Sequence, residues 1–186
     1  MLALWPGRDS NSDMAHIVYI TGGARSGKSA FAQQRAEEHI GPLLYVATAE
    51  VRDAEMAVRV EKHQQVRGER WLSLEEPVAL AEKITAAATD VAAVLIDCLT
   101  LWLSNLLEKY GEDEEVIQHE SAKLIAALAK IDATVYIVSN EVGSGIVPEN
   151  RLARSFRDLA GLLNQQVAAA ADEAWLVASG LPLKLK

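Results

Sequence analysis

Eight residues near the amino end, Gly22, Gly23, Ala24, Arg25, Ser26, Gly27, Lys28 and Ser29, fit the spacing G-x-x-x-x-G-K-[ST]. Glycines at these positions let consecutive backbone N–H groups curl around an anion. The residues before them, His16 to Thr21, read as a buried strand, and those after, Ser29 to Glu37, as a helix. The helix N-terminus adds partial positive charge where the loop ends. Lys28 then reaches the β- and γ-phosphates of a nucleotide, and the Ser29 hydroxyl ligates Mg2+. Strand, loop and helix together predict binding of a nucleoside triphosphate, with Lys28 carried on an exposed loop. Val94-Leu95-Ile96-Asp97 is an apolar strand ending in an acid, the setting of the carboxylate that helps hold Mg2+ in such proteins.

A second candidate is His63. Helical spacing puts Met56, Val60, His63 and Arg67 along one face, with Arg59 four residues before the histidine. Two arginines could hold a phosphate and keep the imidazole neutral, and a neutral imidazole can attack phosphorus. Spacing alone favours the plainer reading, a solvated histidine on a charged helix. Cys98, beside Asp97, reads as a small packed residue rather than a nucleophile. His39, near a helix C-terminus, reads as a dipole partner.

Asn140-Glu141-Val142-Gly143-Ser144-Gly145 follows another apolar strand, and its glycines allow close approach to a ligand or a neighbouring subunit. Pro148 marks the start of a long helix carrying Arg151, Arg154 and Arg157. That partial basic stripe serves either to pair with Glu149 and Asp158 or to meet a phosphate or another subunit.

These residues need a scaffold. Strand-like runs at Ile17–Thr21, Leu43–Ala47, Trp71–Leu74, Val94–Asp97, Thr134–Ser139 and Ala174–Ala178 alternate with helical patterns. The helices are expected near Lys28–His39, Asp53–Arg67, Pro77–Ala88, Leu99–Lys109, Glu114–Lys130 and Asn150–Ala171. Such alternation predicts an α/β fold, a mainly parallel β-sheet flanked by helices on both faces. Ligands in such sheets sit at the carboxyl ends of the strands. The acidic run from Gly111 to Glu115 reads as a loop entering a helix N-terminus.

The 186 residues predict one domain over 15–186, preceded by a floppy extension over 1–14. Eighteen basic and 26 acidic residues give a net charge of −8, which argues against nucleic acid as a partner. No apolar run approaches the length of a membrane span, so no membrane insertion is expected. One cysteine excludes an intrachain disulfide and suits a reducing cytoplasm.

Taken together, three segments give the chain a family resemblance. They are Thr21 to Ser29, the run Asp53-x-Glu55-Met56-x2-Arg59-x3-His63-x3-Arg67-x3-Trp71, and Ser139 to Arg154. The chain resembles the adenosylcobinamide kinase / adenosylcobinamide-phosphate guanylyltransferase family of cobalamin biosynthesis, from about His16 to the C-terminal Leu-Lys-Leu-Lys. The resemblance implies a P-loop NTPase (RecA-like) three-layer sandwich. It implies that adenosylcobinamide is phosphorylated with ATP or GTP. GMP then passes from GTP through a histidine to that phosphate, giving adenosylcobinamide-GDP and pyrophosphate. His63 is implied as the histidine, which reverses the reading that spacing alone favours. The guanine-nucleotide contacts implied are Gly22–Ser29, Ala47, Thr48, Ala49, Gln64, Gln65, Val66, Arg67, Glu75 and Asp97. Lys62 stands where some members have a second histidine, and Asp97 where some have Glu. A homotrimer is implied, with nucleotide sites between subunits. The competing expectations are a plain small-molecule P-loop kinase without guanylyl transfer, and a nucleotide-dependent switch or RecA-like ATPase.

Overall fold

The computed structural model describes residues 15–49 and 68–186. The first strand, β1 (His16–Gly22), is followed by α1 (Lys28–Glu37), β2 (Leu43–Ala47), β3 (Trp71–Glu75), α2 (Leu80–Ala87) and β4 (Ala93–Asp97). Then come α3 (Leu99–Tyr110), α4 (Glu114–Leu128), β5 (Thr134–Asn140), α5 (Arg151–Ala170), β6 (Glu173–Ala178) and β7 (Leu181–Lys184). The strands form one sheet in the order β3-β2-β4-β5-β1-β6-β7, parallel except for the last pair. A parallel sheet needs both faces covered, and the central strands show it. Ile17 and Tyr19 of β1, Val94 and Ile96 of β4, and Val135 and Ile137 of β5 pack with α2, α3, α4 and α5. Their neighbours Val18, Ile20, Ala93, Leu95, Tyr136 and Val138 face the other way, toward α1. The expected α/β three-layer arrangement is what folds.

Local chemistry sets the ends of the helices. Asp113 accepts from the N–H groups of Glu115 and Val116 and opens α4, so the acidic run is the helix entry that the sequence implies. Asn150 does the same for α5 through the Ala153 N–H at 3.1 Å. That helix begins at Arg151, beyond Pro148, because the Asn side chain caps where the proline does not. The Glu76 carboxylate accepts from Val78 and Ala79 N–H at 3.0 and 2.7 Å, so Pro77 belongs to a turn and α2 starts only at Leu80. Arg70 donates to the carbonyls of Glu37 and His39 at 3.1 and 2.8 Å, closing α1 two residues earlier than its apolar pattern suggests.

Strand β7 has no counterpart in the sequence reading. It pairs antiparallel with β6 through a turn in which Ser179 (φ 52°) and Gly180 (φ 81°) both adopt left-handed backbone. Two such residues in succession make the turn that suits strand twist. All four β7 residues are exposed, so no buried alternation announces the strand.

Trp102 of α3 is fully buried, and its indole N–H donates to the Val78 carbonyl at 2.9 Å. Trp102→Ala opens a cavity and orphans that carbonyl. The expected loss is about 3–5 kcal/mol in urea denaturation followed by circular dichroism. A loss below about 1 kcal/mol would mean the α3–sheet interface repacks around the gap.

Candidate active site at the carboxyl edge of the sheet

Residues at the carboxyl ends of the strands line up in an order that the chain sequence does not reveal. Glu75 of β3 lies opposite Ala47 of β2, Ala47 opposite Asp97 of β4, and Gly22 of β1 opposite Asn140 of β5. Five separate segments therefore share one edge, with β5 between the phosphate loop strand and the strand carrying Asp97.

The loop itself is tightly braced. The Gly180 N–H donates to the Ser26 carbonyl at 2.8 Å and the Glu141 N–H to the Gly22 carbonyl at 3.0 Å. Ser26 N–H turns back to the Gly23 carbonyl at 3.2 Å. Gly27 has φ 97°, and a Cβ there would lie 3.3 Å from the Gly180 Cα. A Cβ on Gly22 would strike the Val177 carbonyl and stand 2.6 Å from the Ser26 hydroxyl. Arg25 holds a left-handed φ of 56° at the exposed crest.

Lys28 departs from expectation. It is the first residue of α1 and is buried, not carried on an exposed loop. Its Nζ donates to the Gly23 carbonyl at 3.0 Å, which folds the side chain back under the loop. Burial follows from its place where the loop closes on the helix. The Ser26 hydroxyl is also buried and has no partner among the described residues. An ammonium, a spare hydroxyl and a helix N-terminus fit a polyphosphate.

Across β5 lies Asp97, half buried, whose carboxylate accepts from the Tyr45 hydroxyl at 3.3 Å. Thr48 is fully buried and ties the β2 and β4 ends together. Its hydroxyl donates to the Cys98 carbonyl at 2.7 Å and accepts from the Cys98 N–H at 2.9 Å. Asn105 in turn donates to the carbonyls of Thr48 and Pro77 at 2.7 and 3.0 Å. Ala47 and Ala49 flank Thr48 and are half buried. Cys98 is packed and buried, as its sequence context implies. Burial pushes its thiol pKa up, and the Asp97 carboxylate adds to that shift. A neutral thiol is a poor nucleophile.

Asn140 links the two halves. Its amide donates to the Thr100 hydroxyl at 2.7 Å, and its carbonyl accepts from the Asn164 amide at 3.1 Å. Asn164 also accepts from the buried Ser139 hydroxyl at 2.6 Å. Every one of these buried polar groups is partnered, which fixes the edge between Asp97 and the loop.

Two cavities are formed by the described residues, one of them at the loop. One, of about 410 Å³, has Gly23–Ser26 on one wall, Glu141 and Ser144 on another, and Leu176–Ser179 behind. The other, of about 570 Å³, is largely apolar and runs between α3 and the first turns of α5, past Leu107, Leu152 and Phe156. The α5 arginines are mostly engaged within the chain. Arg154 donates to the Pro148 and Glu149 carbonyls at 3.0 and 2.6 Å, Arg157 pairs with Asp158 at 3.0 Å, and Arg151 approaches Glu112 at 3.9 Å. His39 meets the Tyr136 hydroxyl at 2.9 Å rather than only a helix end. His63, with Arg59, Gln64, Gln65, Val66 and Arg67, lies outside the described residues. Sequence reasoning missed the β6–β7 turn as a wall of the site, although the Ser179-Gly180 pair was its signal.

The fold and the loop define a P-loop nucleotide-binding α/β protein of the RecA-like kind, in which another strand separates the loop strand from the acid-bearing strand. A family model described as cobinamide kinase / cobinamide phosphate guanyltransferase matches residues 18–185, and the chain belongs to that family. The bifunctional adenosylcobalamin biosynthesis protein CobU of Escherichia coli is 47% identical over 184 aligned residues, covering 91% of this chain and 99% of its own. Its Salmonella typhimurium counterpart is 45% identical with the same coverage. The bifunctional adenosylcobalamin biosynthesis protein CobP of Pseudomonas aeruginosa is 40% identical, covering 90% of this chain and 95% of its own.

The close packing around Gly22 yields a direct test. Gly22→Ala forces the loop away from β6, and its affinity for GTP, measured by titration calorimetry, should fall at least about tenfold. Unchanged affinity would mean that the geometry of this loop does not govern nucleotide binding.

Proposed function

We propose that this chain phosphorylates adenosylcobinamide with ATP or GTP and then transfers GMP from GTP onto the product, yielding adenosylcobinamide-GDP and pyrophosphate. The observation that carries this reading is the family match over nearly the whole chain, which coincides with an intact phosphate cradle. The family pairs a kinase with a guanylyltransferase, and on this reading one nucleotide site serves two displacements at different phosphorus atoms.

The roles divide as follows. Gly22 to Ser29 hold the polyphosphate through backbone N–H groups, with Lys28 neutralising its charge. Release of Nζ from the Gly23 carbonyl frees the ammonium for the phosphates. Ser29 and Asp97 offer a hydroxyl and a single carboxylate, the sparse oxygen set that suits Mg2+ completed by water and substrate phosphates. When bound, the ion would offset charge on the phosphates. Ala47, Thr48, Ala49, Gln64–Arg67 and Glu75 serve the nucleoside. His63 attacks the α-phosphorus of GTP, forming an N–P bond as the bond to pyrophosphate breaks. The phosphate of adenosylcobinamide phosphate then displaces the histidine. A phosphoramidate is a reactive donor, so the site must exclude water. The apolar cavity beside α5 supports a bulky second substrate. We further infer a homotrimer working in the cytoplasm. No helix among the described residues is long and apolar enough to cross a membrane.

The two reactions should separate by mutation. His63→Ala should still convert adenosylcobinamide to its phosphate yet release no adenosylcobinamide-GDP, as chromatography of the products would show. Asp97→Asn should slow both by roughly tenfold or more, because the carboxylate would help hold the Mg2+ that both reactions share. Guanylylated product from His63→Ala at the unmutated rate would refute the histidine route.

A further inference from the structure

The phosphorylation step requires something that the roles above do not supply. An alcohol is a weak nucleophile at neutral pH, and a kinase commonly places a carboxylate to accept its proton as phosphorus is attacked. Asp97 is held by the Tyr45 hydroxyl and belongs to the metal-side set on β4, two strands from the loop strand. A second carboxylate stands nearer. Glu141 is the first residue beyond β5, the strand that pairs directly with β1. Its N–H donates to the carbonyl of Gly22, so its backbone is anchored to the start of the phosphate loop.

The side chain is positioned as well. One carboxylate oxygen, Oε1, accepts from the Gly143 N–H at 2.7 Å. A Cβ on Gly143 would approach that oxygen to 3.0 Å, so the glycine leaves room for this turn. Among the described residues the second oxygen accepts no such hydrogen bond. Glu141 is exposed, and it lines the cavity of about 410 Å³ whose facing wall is Gly23, Ala24, Arg25 and Ser26. Among the described residues lining the cavity it is the single carboxylate, and Arg25 is the single cation. A substrate hydroxyl entering this cavity would meet the loop that holds the terminal phosphate on one side and a carboxylate on the other.

We propose that Glu141 is the general base of the kinase step. This rests on the reading that the chain phosphorylates adenosylcobinamide. The O–H bond of the adenosylcobinamide hydroxyl breaks and its proton passes to the Glu141 carboxylate. The oxygen forms a bond to the γ-phosphorus, and the bond from that phosphorus to the bridging oxygen breaks. The electron pair leaves with the nucleoside diphosphate, and the proton on Glu141 returns to solvent. Attack of a histidine on the α-phosphorus has no alcohol to deprotonate, so the guanylyl half of the chemistry does not need this carboxylate.

Glu141→Gln tests the assignment, because the amide oxygen retains an acceptor for the Gly143 N–H while the base is lost. The full chain would be assayed for adenosylcobinamide phosphate formed from ATP and, separately, for GMP bound to the protein from GTP. Phosphate formation should fall about 10²–10⁴-fold, the usual worth of a general base, and fall far more than GMP attachment. Formate added to Glu141→Ala should restore part of the kinase rate, an effect that a purely structural residue would not produce. A kinase loss under about tenfold in Glu141→Gln, or an equal loss in both reactions, overturns the role of Glu141 alone. An unmutated chain that forms no adenosylcobinamide phosphate overturns the kinase reading and this inference with it.

Discussion

The structure depends on how closely the phosphate loop lies against the backbones of its neighbours. Gly22 has the Val177 carbonyl where a side chain would be, Gly27 has the Gly180 Cα, and the Ser26 carbonyl is bound by the Gly180 N–H. Only glycine permits such contact, and it holds this loop in place without a core of its own. Rigid N–H groups bind an anion without first paying to be ordered. The short β6–β7 hairpin thus acts on the chemistry, although its second strand is wholly exposed and buries little.

From that constraint the rest of the edge follows. The loop is fixed to β6 on one side and to β5 on the other, through the Glu141 N–H. The β5 end is fixed in turn by Asn164 and Thr100, and the β4 end by Thr48. Asn105 reaches over from α3 to hold Thr48. Buried polar groups are costly unless each is partnered, and here the partners come from helices and loops that follow different strands. Satisfying them therefore sets the spacing between Asp97, Asn140 and the loop. Beneath this layer, consecutive apolar residues in β1, β4 and β5 anchor the strands from both faces.

Much of this was legible in the sequence. The central strands announce themselves because burial on both faces demands runs such as Ile17 to Ile20 and Val135 to Val138. The loop announces itself because its chemistry tolerates few substitutes. Other features were not legible, for physical reasons. β7 has no buried face, so no alternation marks it. Lys28 looked exposed because charge usually seeks water, whereas here the Gly23 carbonyl pairs it under the loop. The neighbours of Asp97 come from segments about 50 residues away, such as Tyr45 and Thr48, and only strand order brings them there. Glu141 stood in a segment notable for its glycines, and its value lies in the pairing of β5 with β1, which no local pattern encodes.

The central claim is that one cradle directs reaction at two different phosphorus positions, the γ-phosphorus in one step and the α-phosphorus of GTP in the other, with a protein histidine as carrier for the second. The most direct measurement incubates the full chain with GTP labelled at either the α- or the γ-phosphate and resolves the denatured protein on a gel. The account predicts that α-label stays on the polypeptide, is released by acid and is displaced by adenosylcobinamide phosphate, while γ-label does not stay. Retention of γ-label, or no retained label from either GTP under turnover conditions, would contradict it.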